Sequence, residues 1–201
     1  YSITPKIGLG LGFGYINLSE HNLLIFNSPG NFENNQVGTS PKIRAYPFRL
    51  GVFYNIPISR LFNLTLNSGA AFYFAKYTYI RSSNWYGIDL INQKANTTGI
   101  GLHGGISFEI NFHPRAALIL EGRGRYGKIS GFTGNSYIKR SINPPLIIED
   151  IEEKGTLYYL EGDGHPLLAF SEQKPTDYKT VREATVDLGG FVFQAGLKVK
   201  F

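Results

Sequence analysis

The feature that most restricts this chain is a strict period of two in its hydrophobicity, with glycine set against bulk. Ile7, Leu9, Leu11, Phe13 and Tyr15 alternate with Gly8, Gly10, Gly12 and Gly14. Successive side chains of a strand point to opposite faces. The segment therefore predicts a strand with one greasy face and one almost bare. A helix would spread both sets around its circumference.

The same alternation recurs along the chain. Tyr46, Phe48, Leu50, Val52, Tyr54 and Ile56 oppose Ala45, Pro47, Arg49, Gly51, Phe53 and Asn55, with Pro47 acceptable only near a strand start or an edge. Leu64, Leu66, Ala70, Phe72 and Phe74 oppose Thr65, Asn67, Gly69, Ala71, Tyr73 and Ala75. Ile100, Leu102, Ile106, Phe108, Ile110 and Phe112 oppose Gly101, His103, Gly105, Ser107, Glu109 and Asn111. In a fifth run Leu118, Leu120 and Tyr126 oppose Ile119, Glu121, Arg123 and Arg125, while Gly122 and Gly124 thin the apolar side. The last run sets Phe191, Phe193, Ala195, Leu197, Val199 and Phe201 against Gly190, Val192, Gln194, Gly196, Lys198 and Lys200. Most of these runs exceed the five or six residues usual in soluble strands and reach the ~9–11 that cross a bilayer at a tilt.

Composition narrows the field further. Glycine supplies 24 of 201 residues, above the average of about 7%, and 13 Tyr with 15 Phe supply the bulk that the alternation needs. With no Cys in the chain, disulfide scaffolds, thiolate metal sites and Cys nucleophiles are excluded. The net charge of +5 comes from scattered Lys and Arg and does not point to nucleic acid. No stretch approaches the ~20 apolar residues of a membrane helix. The chain lacks an initiator Met and an export leader, so it is read as a processed form.

Connections carry a second signal. Residues 57–60 and 113–115 are short turns, whereas long loops are expected near 18–41, 80–97 and 130–182, all within a single domain spanning 1–201. Short turns at one end and long loops at the other are the habit of outer-membrane barrels. The faces can be oriented by bulk and charge. A row of glycines fits a narrow interior filled by side chains, and Arg49, Tyr73, His103, Glu109, Glu121, Arg123 and Arg125 share that face as an expected interior polar network. On the lipid side an Arg at mid-bilayer would cost about 2–4 kcal/mol. Tyr46, Tyr54, Phe112, Tyr126 and Phe201 lie toward strand ends, as interfacial aromatics would.

On these residues the chain resembles the small outer-membrane β-barrels of the OmpA and OmpX type. The likeness is carried by Ile7 to Tyr15, by the run from Gly105 to Phe112, and by Gly196 to Phe201. It implies an all-β, antiparallel, up-and-down transmembrane β-barrel, most simply of eight strands although six are clearly signalled. Two more would lie within 150–172, where Thr156 to Glu161 and Leu167 to Ser171 could form a hairpin around Gly162, Asp163 and Gly164. An extramembrane hairpin is the alternative for that segment. The resemblance also implies a bacterial outer-membrane location, outer-membrane lipid as a partner, and insertion by a barrel assembly machinery. That machinery would read a terminal signal made of Phe191, Phe193, Leu197, Val199 and Phe201.

Chemical motifs are sparse. No Gly-x-Ser-x-Gly elbow, His-Glu-x-x-His or P-loop occurs, and the Gly-x-Gly of residues 8–12 lies in a strand rather than before a helix. His103 beside carboxylates could act as an acid or base, but a hydrogen-bonded interior network is the plainer expectation. His21, His113 and His165 have no ligand-spaced partner. The acidic run Glu149, Asp150, Glu152 and Glu153 departs from the spacing of a calcium loop and reads as a solvated face. The Asn-x-Ser/Thr triplets at Asn17, Asn63 and Asn96 read as chance matches in a bacterial chain. No catalytic residue, metal site or cofactor is expected. The leading expectation is a non-enzymatic scaffold whose loops bind a partner or join a larger membrane complex. A narrow pore or solute transporter, a lipid-modifying barrel enzyme, and a soluble lipocalin-type barrel with faces inverted are the alternatives.

Overall fold

The computed structural model describes residues 3–27, 34–83, 88–141, 147–162 and 167–199. Among them there are strands and no helix. In chain order these are β1 (Ile7–Phe13), β2 (Ile16–Ser19), β3 (Asn22–Asn27), β4 (Asn34–Pro57), β5 (Phe62–Ser83), β6 (Ile88–His113) and β7 (Ala116–Tyr126). They continue as β8 (Lys128–Ile129), β9 (Thr133–Ser141), β10 (Ile147–Glu161), β11 (Leu167–Ser171), β12 (Thr180–Glu183), β13 (Val186–Asp187) and β14 (Gly190–Val199).

All pairings are antiparallel. The three longest strands, β4, β5 and β6, form a continuous spine that serves two sheets in succession. In its lower part the order is β1, β4, β5, β6, β7, β14. In its upper part β2 and β3 replace β1 along β4, and β9 replaces β7 along β6. The switch falls within residues 97–101, because β7 pairs from Leu102 downward and β9 from Asn96 upward. Gly101 sits at the fork, where a Cβ would collide with the Tyr126 carbonyl.

The lower sheet contains the six strands whose alternation the sequence displays. Its turns lie at one end. The β4–β5 turn is closed by Ile58 N–H and Ser59 N–H donating to the Phe62 carbonyl, and Ser59 Oγ accepts from Phe62 N–H at 3.1 Å. The β6–β7 turn contains His113, whose Nδ1 accepts from Arg115 N–H at 3.1 Å. The sheet curls strongly, since β4 residues Pro47 and Arg49 line the same cavity as Val192 and Gln194 of β14, four strands away. Among the described residues, β1 pairs only with β4, β2 and β3 pair only with the upper β4, and β14 pairs only with β7. No closed barrel is formed among them.

Two expectations change. The segments 18–41, 80–97 and 130–182, read as long loops, are mostly strand where described, because their Thr, Tyr, Ile and Lys residues extend the hairpins β4–β5 and β5–β6 beyond the apolar band. The hairpin at 150–172 does form, with Thr156 opposite Ser171 and Leu160 opposite Leu167. It adds no strand to the lower sheet. Its partners are β9 and β12, and Leu157, Leu160 and Phe170 are buried in an upper core rather than turned outward. The lower sheet therefore has six strands in the described residues, not eight. Asp163 and Gly164 of the expected turn lie outside the described residues.

That upper core is the cap of the molecule. Ile129, Phe132, Leu157, Phe170, Ala184 and Leu188 pack against Ala45, Ala75, Tyr77 and Ala95 on the inner face of the spine. Backbone bonds tie the cap together, with Leu157 N–H donating to the Phe132 carbonyl and Leu188 N–H to the Gly127 carbonyl, both at 2.7 Å. Thr97 Oγ1 donates to the Ser130 carbonyl at 2.7 Å, anchoring it to β6.

Candidate functional site

The outer face of the lower sheet is a continuous apolar wall, and register shows why. Ile7 stands beside Tyr54, Leu66 and Ile106, while Ile56 stands beside Leu64, Phe108 and Leu120. A higher row joins Phe13, Phe48, Phe72 and Ile100. Ile56 and Leu64 are half-buried and the others exposed, and on the same face Leu11 is 73% and Phe193 85% exposed. The rings of Phe191 and Phe193 lie close over Gly124 and Gly122, where a Cβ would stand 3.2 Å from each ring. Missing bulk on β7 is thus covered from β14. Near the top, Tyr15 and Tyr46 meet at 5.4 Å between ring centroids, and Phe13 and Tyr46 at 6.4 Å.

Immediately above, the wall turns polar. Arg44, Lys76 and Asn96 form the next outward row, followed by Lys42, Thr78 and Lys94. From Phe62 to Phe74 the outward face of β5 is apolar apart from Ser68, and a strand of that length rises about 29 Å when tilted near 45°. A bilayer's hydrocarbon core is about 30 Å thick.

The inner face carries the charges, but not as one network. Glu121 is the hub. It receives Arg123, at 3.0 Å from Nε and closer still from a terminal guanidinium nitrogen, together with Gln194 Nε2 at 2.5 Å and Asn67 Nδ2 at 3.3 Å. Glu109 stands apart, about 20 Å along β6 from His103, and is paired with Lys198 Nζ at 2.8 Å. The sequence grouping of His103 with Glu109 is therefore split, because six residues separate them along an extended strand. Lys198, opposite Glu109 in space, was not among the expected network residues. Its place on the Gly-bearing face of the last strand was the available signal.

Above Glu121, Arg49, His103 and Arg125 border a cavity of about 200 Å³, with Tyr73 at its upper end and Arg123 and Gln194 below. His103 occupies a clearing made by glycine. Gly10, Gly51, Gly69, His103 and Arg125 form one register row across five strands. A Cβ at Gly51 would stand 3.3 Å from His103 Nε2, and one at Gly69 would strike the Leu50 carbonyl. Phe53 swings inward over Gly10, filling the rest of that clearing. Arg49 donates to the Phe13 carbonyl at 3.5 Å.

The cap closes the upper end of this lumen. Ile129 packs on Gly99 and Gly127 packs on Tyr73, and Phe132 and Leu157 are almost fully buried behind them. On the cap's water side, Tyr137 is held above the ordinary phenol range, chiefly by its hydrogen bond with Asp150. Glu152 is held below the ordinary carboxylate range by Asn135 and then by Lys154. Asp150 and Glu152 are thus paired, while Glu153 faces solvent. His21 Nδ1 lies 2.8 Å from Ser40 Oγ; His165 lies outside the described residues.

Of the terminal set, Phe191, Phe193, Leu197 and Val199 share the outer face of β14, whereas Phe201 lies outside the described residues. Tyr46, Tyr54, Phe112 and Tyr126 are exposed on the outer wall. No family model, curated protein or solved structure matches the chain.

Proposed function

We propose that this chain is an outer-membrane β-barrel scaffold, with the lower sheet in lipid and the capping lobe in water, offering the lobe to a protein partner. One observation carries the reading. The same three strands present Phe, Leu and Ile outward below, then Arg, Lys and Asn outward above, changing at one level of the register. Charges below that level sit inside, where ion pairing and hydrogen bonds satisfy most of them.

In the bilayer the outer edges of β1 and β14 are closed against each other. Six strands alternate in direction, so the two edge strands run antiparallel and can pair. An open edge in hydrocarbon would leave backbone groups unsatisfied at several kcal/mol each. The cap favours a scaffold over a conducting pore, because Ile129, Phe132 and Leu157 put a dry apolar layer across the lumen. Absence of Cys makes the test clean. Single-cysteine variants at Leu11, Leu50 and Phe108, reconstituted in liposomes, should resist a water-soluble maleimide, while those at Lys94 and Asn96 should react. Equal reaction at both levels, or a folded protein soluble without detergent, would defeat the reading.

A further inference from the structure

The lumen holds more positive charge than its protein partners neutralise. Arg49, Arg123 and Arg125 converge on one cavity, and the nearest carboxylate, Glu121, is already engaged by Arg123, Gln194 and Asn67. The Nε atoms of Arg49 and Arg125 and the Nδ1 of His103 are buried without a hydrogen-bond partner. Both arginines are half-buried, and cations drawn part-way out of water beside one another gain from an anion placed between them. The space is present, since about 200 Å³ holds several waters or one small oxyanion with part of its hydration.

We infer that this cavity binds a phosphate-type oxyanion. Planar guanidinium forks match the oxygens of a tetrahedral phosphate and give short, charge-assisted bonds. Arg49 reaches from β4 and Arg125 from β7, so an anion between them would be gripped from two strands. Tyr73 and Gln194 add neutral polar groups at either end of the same space. The glycine clearing keeps the site open, for a Cβ at Gly12 would stand 3.4 Å from Arg49 Nε. A second cavity of about 180 Å³, shared by Arg49, His103 and Arg123, runs on to Gly10 and Gly12 of β1. The bound phosphate can be the free ion or the headgroup of a lipid, which share this chemistry. This site depends on the lumen's charge balance and stands or falls independently of what covers the outer wall.

The folded protein in a phosphate-free glucoside detergent is treated with phenylglyoxal, and arginine modification is read peptide by peptide. Saturating inorganic phosphate should slow modification of Arg49 and Arg125 by about tenfold or more, leaving Arg60 and Arg115 in the turns unaffected. Short-chain phosphatidylglycerol is the second arm. Protection at lower concentration than phosphate identifies a lipid headgroup, and protection by phosphate alone identifies the free ion. Arg49→Gln and Arg125→Gln should each weaken phosphate binding on the order of tenfold to a hundredfold by calorimetry, with Arg115→Gln unchanged. Failure of both probes to protect, or equal protection of Arg60 and Arg115, would overturn the site.

Discussion

The two halves of the molecule are built on the same three strands and obey opposite rules. Below the row of Tyr46, Phe74 and Thr98 the inner face is polar and the outer face apolar; above it Ala45, Ala75, Tyr77 and Ala95 point inward to a dry core while Arg44, Lys76 and Lys94 point out. Strand geometry is the same on both sides of that row. The placement of the apolar side chains is not. The upper half buries its apolar side against the cap. The lower half is arranged so that apolar side chains are the outside, and its small interior is filled by glycine, a histidine, and ionised groups.

The same truncation should have unlike effects in the two halves. Phe132→Ala in the cap should cost about 3–5 kcal/mol, since a side chain 1% exposed leaves a cavity behind. Phe193→Ala, 85% exposed, opens no cavity. In vesicles it should lose only transfer from water to lipid, about 1.5–3 kcal/mol. Urea unfolding in phosphatidylcholine vesicles, read by the heat-dependent gel shift of the protein, measures both. No loss at Phe193 in vesicles would mean that lipid does not touch the lower wall.

A charge placed on the outer face sharpens the boundary itself. Leu50 stands midway along the apolar stretch of β4, and Leu50→Arg should cost about 2–4 kcal/mol by the depth dependence of arginine on a lipid face. Asn96→Arg, on the polar row above, should stay within about 0.5 kcal/mol of the parent. Equal costs at the two sites would move the boundary away from the row assigned here.

Much of the lower half was legible because one face of its strands is apolar and the other is glycine-rich and polar, a pattern of period two, so Ile7 to Tyr15 or Ile100 to Phe112 could be read almost residue by residue. The upper half was hidden for a physical reason. Its strands carry Lys, Thr, Ser and Asn together with Ile80 and Leu90 on the outer face, and mix Ala, Tyr and Ile with Thr39, Arg81 and Gln93 on the inner one. Such residues resemble loop composition as much as strand. The cap was harder still, since Ile129, Phe132, Leu157 and Leu188 come from separate short segments that meet only in three dimensions. In the lumen, face assignment collected the right side chains, but alternation gives no height along the strand. Glu109 was therefore grouped with His103 when it pairs with Lys198 far below.

The smallest expected effect tests the water side of the comparison. Glu152 on β10 accepts from Asn135 Nδ2 at 3.3 Å and pairs with Lys154 Nζ at 3.3 Å, which together hold its carboxyl below the ordinary value of about 4.3. A carboxylate with a depressed folded pKa adds stability above its unfolded pKa and loses it as pH falls through the folded value. Glu152 is fully exposed, so solvent screening leaves that contribution close to nothing. Glu152→Gln should leave the unfolding midpoint unchanged between about pH 5 and 8, while the carboxyl resonance of the parent titrates below an ordinary glutamate. A titration at or above the ordinary value would show that the Asn135 and Lys154 pairing does not persist. A marked loss of stability at neutral pH would show that this face of the lobe is not in water, and the contrast between the halves would then rest on the lower wall alone.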